Sequence, residues 1–392
     1  MKNIIVVGSG FSGAILARKI AEELDLPVRL IERRTHIAGN MYDEIDEHGF
    51  LIQKYGPHHF YTSNYKIFQF LERYAEFFPH YCKSRNMIDG KYVSMPFNFY
   101  TVQQLLGMER ASVVIAKLRK EYAGHDRVPV IDLVESQDQD ISEYGNLLFE
   151  KSFRPYIAKM WEIPMEKVDR YVLERRSMAM GYDERMTHYD FQGLPKEGFT
   201  KLFENMLNHR NISVELGEDA LEHITFHENH ILYDGKYVDC LIFTGPIDEL
   251  FGYKYGKLPY RSLDIRWDYY PETESVLPTE GAAFPQAPGY VRKTEYRKMM
   301  FDTTGLKGSV VSTEYPLPYD RDAKIGNEPY YPVVTADSQQ IYNKYVEESK
   351  KFGNIFLCGR LAEFRYIDMH TCIEHALDYY QKVRMYLANC DD

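Results

Sequence analysis

Glycines at positions 8, 10 and 13, in Gly8-Ser-Gly10-Phe-Ser12-Gly13, carry the clearest chemical signal in the chain. The G-x-G-x-x-G spacing suits a backbone that must approach a pyrophosphate. The first glycine permits a tight turn, the second admits a phosphate against the main chain, and the third lets a helix pack on a strand. A helix that starts there aims free N–H groups and the positive end of its dipole at the phosphates. Glu32 ends the next apolar segment, where a carboxylate accepts ribose hydroxyls. These residues predict a dinucleotide site but do not by themselves choose between FAD and NAD.

Such a site needs strand, turn, helix and strand in quick succession. Residues 3–8 read as a short buried strand, and a helix follows to about residue 24, with Ile15, Leu16, Lys19 and Ile20 at helical spacing. Residues 27–32 read as the second strand of a β-α-β unit. Further on, residues 64–78 read as an amphipathic helix, and Thr101-Val-Gln-Gln104 as the capping-box start of a helical stretch reaching Trp161, broken at 124–139. A helix over 200–209 precedes strand-like segments at 212–217, 223–227, 231–233 and 237–244, with Asp234-Gly235 as a hairpin turn. Extended segments at 261–267, 290–300 and 309–315, a buried strand at 354–359 and a helix over 371–387 complete the pattern. The expectation is an α/β fold with a discontinuous Rossmann-like domain (1–85, 195–250 and 345–392), a helical insertion domain (96–170) and an antiparallel-sheet substrate domain (171–194 and 255–340).

A chain of 392 residues, 44% hydrophobic and 27% charged, is globular and large enough for two or three domains. No apolar run reaches bilayer length, and the opening Met-Lys-Asn-Ile-Ile-Val-Val-Gly meets a glycine too soon for a secretory signal. Cys82, Cys240, Cys358, Cys372 and Cys390 are widely spaced, without metal-ligand spacing, and suit reduced thiols in a cytoplasm. No metal is expected. The net charge of −11 argues against a nucleic-acid or anionic-membrane partner and requires any anionic ligand to meet a local cluster of arginines.

Arg33-Arg34-Thr-His-Ile-Ala-Gly39-Asn40, following Glu32, resembles the stretch after the acidic residue in flavoproteins of the glutathione-reductase and amine-oxidase kind. Phe356-Leu-Cys-Gly359-Arg360 resembles their second flavin-contacting strand. Tyr55-Gly-Pro-His58-His-Phe-Tyr61-Thr, Tyr156-Ile-Ala-Lys-Met-Trp161, Thr244-Gly-Pro-Ile-Asp248, Glu328-Pro-Tyr330-Tyr331-Pro332 and Gly359-Arg360-Leu-Ala-Glu-Phe-Arg-Tyr366-Ile-Asp368-Met369-His370 go further. In order and spacing they resemble the bacterial UDP-galactopyranose mutases, and the resemblance covers the whole chain.

That resemblance implies an isomerase that converts a nucleotide-linked galacto-configured sugar between pyranose and furanose, supplying furanose donors for surface polysaccharide. It implies an FAD-binding Rossmann-like domain, with FAD active when reduced and serving as the covalent nucleophile, so that the reaction is redox-neutral. NAD(P)H or a flavin reductase would supply electrons, and a homodimer stays open. Gly8, Gly10, Ser12, Gly13, Glu32, Arg33, Gly39, Asn40, His58, Gly359, Arg360, Asp368 and Met369 are the implied cofactor contacts. Arg175 and Arg292 match the arginines that hold the substrate's diphosphate, a task suited to planar guanidinium forks. His58 is the third implied catalytic residue. Phe153 and Tyr156 match the nucleobase pocket, Trp161 a residue near the sugar, and Tyr330 or Tyr331 with Tyr366 and Asp368 the phosphate side. Departures are Tyr61, where a second histidine is usual, Ser177-Met-Ala-Met180 for a Pro-Val-Arg stretch, and Met186-Thr187 for a Tyr-Phe pair. They suggest a less polar sugar pocket and hence a 6-deoxy sugar, dTDP-fucopyranose, beside UDP-galactopyranose. An oxidase of the amine-oxidase type and a non-catalytic nucleotide-sugar binder are the rival readings.

Overall fold

The glycine-rich turn joins the strand Ile4–Val7 to the helix Phe11–Glu23, and Val28–Glu32 returns parallel to the first strand, with Ile5 opposite Arg29 and Val7 opposite Ile31. The structure is a computed structural model that describes residues 2–161, 174 and 176–389. Five parallel strands form the central sheet, in the order Ile212–Leu216, Val28–Glu32, Ile4–Val7, Cys240–Phe243, Ile355–Leu357. Strand alternation serves both faces. Ile4, Val6, Leu30 and Ile242 pack under the helices Phe11–Glu23, Phe199–Leu207 and Met369–Asn389. Ile5, Ile31, Leu241 and Phe243 pack on a small antiparallel sheet, Ile224–His227, His230–Tyr233 and Lys236–Tyr237. Its tight turn has Asp234 and Gly235 at φ of 50° and 73°, as a hairpin of this length demands.

A seven-stranded sheet runs in the order Tyr331–Pro332, Tyr260–Tyr270, Ser309–Pro318, Arg292–Glu295, Gly281–Ala283, Ser84–Ile88, Lys91–Met95. It is antiparallel except where Gly281–Ala283 lies parallel to Ser84–Ile88, so the expected antiparallel sheet is a mixed one. A helical layer with its own core (Val102, Val114, Leu118, Ile141, Leu148) comprises Phe99–Leu106, Met108–Glu121, Val130–Val134, Gln139–Leu148, a π-helical turn at Phe149–Phe153, and Arg154–Trp161.

Three local expectations are corrected. The helix over 64–78 stops early, as Tyr65–Glu72. Phe77–Pro79 is a strand because Leu194 of Phe191–Pro195 pairs with Phe78, and that partner overrides the helical periodicity. Thr101 is not the cap of its helix. Asn98 caps it, accepting from Thr101 N at 3.2 Å, while Thr101 Oγ1 accepts from Asn98 N at 3.1 Å. The strand Ser177–Ala179 pairs with Arg127–Pro129 inside the helical layer, and Phe191–Pro195 joins Phe60–Thr62 and Phe77–Pro79 in a separate three-stranded sheet. Among the described residues no helix is long and apolar enough to cross a membrane.

Candidate active site

A cleft opens at the C-terminal end of the parallel sheet, where open α/β sheets hold their ligands. At Gly8, with φ of 98°, a Cβ would stand 2.1 Å from Thr244 Oγ1, and at Gly13 it would stand 1.9 Å from Gly8 O. At Gly10 it would meet nothing within 4 Å. Gly8 and Gly13 therefore close the turn on the protein, while Gly10 leaves an open cradle. The helix beginning at Phe11 has no side-chain cap, so its first N–H groups face that cradle unclaimed. Gly39 closes the opposite side, so near that a Cβ there would stand only 3.0 Å from Gly10 Cα.

Glu32 is 8% exposed at the end of its strand, as expected. Its carboxylate accepts from Ser9 N at 3.0 Å, Ser9 Oγ at 2.7 Å and Arg34 N at 3.0 Å, which fixes it facing the cleft. Arg33 and Arg34 converge on Glu328, Arg34 Nε donating at 3.0 Å, and Arg34 also donates to Asn40 Oδ1 at 2.8 Å. Ser12, Gly359, Arg360 and Met369 line the far wall. A pyrophosphate-sized opening over bare backbone, backed by a fixed carboxylate, fits a dinucleotide. Gly13 does not line it and serves packing alone.

Beyond the cleft, the long sheet presents Arg292. It stands directly opposite Glu314 in the ladder, and its Nε and one terminal nitrogen donate to the two carboxylate oxygens at 2.8 and 2.9 Å. The arginine side chain keeps 33% of its surface while Glu314 keeps 3%, so the pairing leaves the arginine partly open. Burial works against its charge, but Glu314, then Tyr331 and Tyr156, hold its pKa well above the usual value. His58 lies within the fields of both Arg360 and Arg292. Burial first, then Arg360 and Arg292, push its pKa down to about 3, so the imidazole is neutral at physiological pH.

Tyr330 and Tyr331 have rings 6.0 Å apart but serve different neighbours. Tyr330, 4% exposed, lines the dinucleotide cleft beside Tyr55. Tyr331 stacks on Tyr366 at 5.3 Å and 29°, with the Arg360 guanidinium 5.7 Å and 5.5 Å from the two rings. Arg360 is held there by Ile367 O, which accepts from Nε at 3.0 Å and from a terminal nitrogen at 2.6 Å. Tyr61 lies against Asp368; burial, then that carboxylate, raises its phenol pKa. Its ring stacks on Tyr189 at 4.8 Å and leans on His370 at 5.3 Å.

Tyr156 is half-buried, with the Arg176 guanidinium 5.2 Å over its ring. Its helix is pinned to the loop between Gly281–Ala283 and Arg292–Glu295 by Lys159, whose ammonium donates to Phe284 O, Ala287 O and Tyr290 O at 2.7–2.8 Å. Phe153, 4% exposed, packs in the helical core with Phe149 just before Tyr156's helix. Arg175 and the side chain of Trp161 lie outside the described residues. Met178 is fully buried in the helical core opposite Val128, and Met180 packs against the same core, which corrects their expected place beside the sugar. Thr187 Oγ1 donates to Gln192 Oε1 at 2.9 Å. Sequence reasoning missed Glu314 and Arg34. Only the register that sets Glu314 against Arg292 could have revealed the first, whereas the second stood in the Arg33-Arg34 motif and was passed over for its neighbour.

A family model described as UDP-galactopyranose mutase matches residues 151–366, and one for an NAD(P)-binding Rossmann-like domain matches 6–74. The chain is 33% identical to the dTDP-fucopyranose mutase of Escherichia coli over 99% of each chain. It is 30% identical to a probable UDP-galactopyranose mutase of Klebsiella pneumoniae, over 96% of this chain and 93% of the other. A crystal structure of reduced UDP-galactopyranose mutase superposes with a TM-score of 0.71 at 16% identity, covering 98% of this chain and 94% of that one. Wild-type putrescine oxidase superposes with a TM-score of 0.57 at 11% identity, covering 98% and 99%. At these identities the two structures speak for the fold alone.

Proposed function

The chain belongs to the UDP-galactopyranose mutase family and is a nucleotide-sugar mutase, an isomerase; from that premise we propose that it interconverts pyranose and furanose forms of a galacto-configured sugar without net redox change. The observation that carries this reading is the setting of His58. Its imidazole feels the positive charge of both Arg360, on the cofactor cleft, and Arg292, on the long sheet, which supports an anion seat near the reacting end of a dinucleotide.

FAD is the dinucleotide we assign to the cleft, held by the Gly8–Gly13 turn, Glu32, Gly39 and the Gly359-Arg360 wall; bound and reduced, it supplies the nucleophile for the anomeric carbon. Arg292, oriented by Glu314 and left partly open, holds the departing diphosphate so that the same group can return. Arg175, by its place in the motif, is the second clamp. Neutral His58 offers a hydrogen bond without adding charge next to that anion. Tyr331, Tyr366 and Arg360 form a stacked wall that limits access of water, which would otherwise divert the sugar to hydrolysis. Tyr156, half-buried on its pinned helix, offers its ring as the stacking partner for the base.

For the sugar we propose a 6-deoxy substrate, dTDP-fucopyranose, used at least as well as UDP-galactopyranose. Of the departures noted above, Tyr61 supports this best. Its phenol is engaged with Asp368 and its ring lies between Tyr189 and His370, so it makes no demand for a sugar hydroxyl. The deciding experiment incubates the dithionite-reduced protein with both nucleotide sugars, follows furanose product by chromatography, and compares kcat/KM. A tenfold preference for UDP-galactopyranose would remove the 6-deoxy assignment. Product oxidation, or binding without conversion of either sugar, would favour the oxidase or binder reading instead.

A further inference from the structure

Three side chains remote in sequence meet where the small three-stranded sheet abuts the long one. His59 immediately precedes Phe60–Thr62, His80 immediately follows Phe77–Pro79, and Glu280 immediately precedes Gly281–Ala283. One ring nitrogen from each histidine and a Glu280 carboxylate oxygen lie within 4.8 Å of one another. The imidazoles are nearly parallel, with centroids 5.2 Å apart and planes at 12°.

His59 Nδ1 and His80 Nε2 are both sealed from solvent and have no hydrogen-bond partner. His80 Nε2 stands 3.6 Å from Glu280 Oε1, beyond hydrogen-bond length. Two buried, unsatisfied imidazole nitrogens on residues clustered with one carboxylate are costly unless something joins them. The backbone around them is fixed: His80 N donates to Gln192 O at 3.1 Å, Glu295 N donates to Glu280 O at 2.8 Å, and Lys83 N donates to the Glu280 carboxylate. Arg292, the cation bound nearby on the same sheet, is already paired with Glu314.

We propose that His59, His80 and Glu280 bind one divalent cation of the zinc type, with water completing the shell. Two histidines and a carboxylate with one open position is a donor set suited to such a cation. Metal–ligand distances of about 2.0–2.2 Å draw tetrahedral donors to roughly 3.3–3.5 Å apart, an adjustment of about an ångström that side-chain rotation supplies. The ion ties the segment carrying His58 to the sheet carrying Arg292 and so fixes the spacing between cofactor and anion seat; it takes no part in bond making. The ligands lie 21 and 200 positions apart along the chain, so no spacing rule in the sequence could have disclosed them.

The test uses the flavin-loaded full chain, dialysed against EDTA and titrated with cobalt(II) chloride, with ligand-field absorption read to the red of the flavin bands. The expected result is a band of tetrahedral intensity that saturates at one equivalent and is displaced by zinc chloride. His59→Ala and Glu280→Gln, checked for retained flavin and circular dichroism, are expected to weaken binding by about 100-fold or more. The wild-type titration is decisive even if a variant fails to fold. Absence of a saturable band, or an unchanged titration in folded variants, overturns the proposal and leaves a buried water as the bridge between these groups.

Discussion

Arg292 and Glu314 show how one register position sets up chemistry. Facing each other across an antiparallel pair, they make a two-point contact that fixes the guanidinium plane and leaves the arginine partly open. Arg292→Ala is expected to lower kcat/KM by tenfold to a hundredfold, from a lost charge-assisted contact of about 1.5–3 kcal/mol, while flavin stays bound. Initial rates at limiting substrate, with flavin absorbance as control, decide it. Near-normal rates would take Arg292 out of the site. Asp248 illustrates the opposite case, a buried charge with too few partners. It is 2% exposed, one oxygen accepts from Leu258 N at 2.8 Å and the other has no partner. Burial, with Glu249 adding to it against the Leu258 bond, pushes its pKa up to about 6. The folded state therefore binds more protons than the unfolded between about pH 4 and 6, and stability falls as pH rises through that window. Asp248→Asn keeps the acceptor for Leu258 and removes the charge. It is expected to stabilise the fold by on the order of 2 kcal/mol at pH 7–8 and by almost nothing at pH 4. Thermal melts at both pH values would show it, and an equal effect at each would contradict the assignment.

The glycine-rich turn makes an element-level prediction, because its glycines do separate jobs. Gly13→Ala drives a methyl group into Gly8 O, and the helix must move off the strand. Gly10→Ala adds a methyl to open space where only a ligand would meet it. The first variant is expected to lose stability and flavin together, the second to fold normally and lose flavin alone. Melting temperature beside the visible spectrum separates them. This turn was legible in the sequence because its function is written in local spacing. The β-α-β unit, the Asp234-Gly235 hairpin and the closing helix were legible for the same reason: each depends on residues a few positions apart. The strand at Phe77–Pro79 was not, since Phe77 and Phe78 extend the helical period of the preceding residues and only their pairing with Phe191–Pro195 makes them β. Met178 was misread as pocket-lining because a motif comparison aligns positions without saying which way a strand turns them. That Tyr330 lines the cleft while Tyr331 stacks on Tyr366 likewise needed the fold itself.

At the scale of the whole molecule, the cleft and Arg292 are built on different sheets, and the proposed reaction needs the two to act together. A reaction that returns its cofactor unchanged is expected to need reduced flavin while consuming no stoichiometric reductant. Following NAD(P)H oxidation and furanose formation in one reaction checks this; equal rates with oxidised protein, or one NAD(P)H per product, would refute it. The central sheet has a further consequence. Its strands come from residues 4–32, 212–243 and 355–357, and the cleft is walled by Gly359, Arg360 and Met369. During translation the N-terminal glycine turn emerges early but has neither its neighbouring strands nor its far wall until more than 360 residues have been made. Under the proposed cofactor assignment, loading is thus a late event in biogenesis, and chains made without the dinucleotide would carry an assembled hydrophobic framework and an open groove, exposed to quality-control proteases.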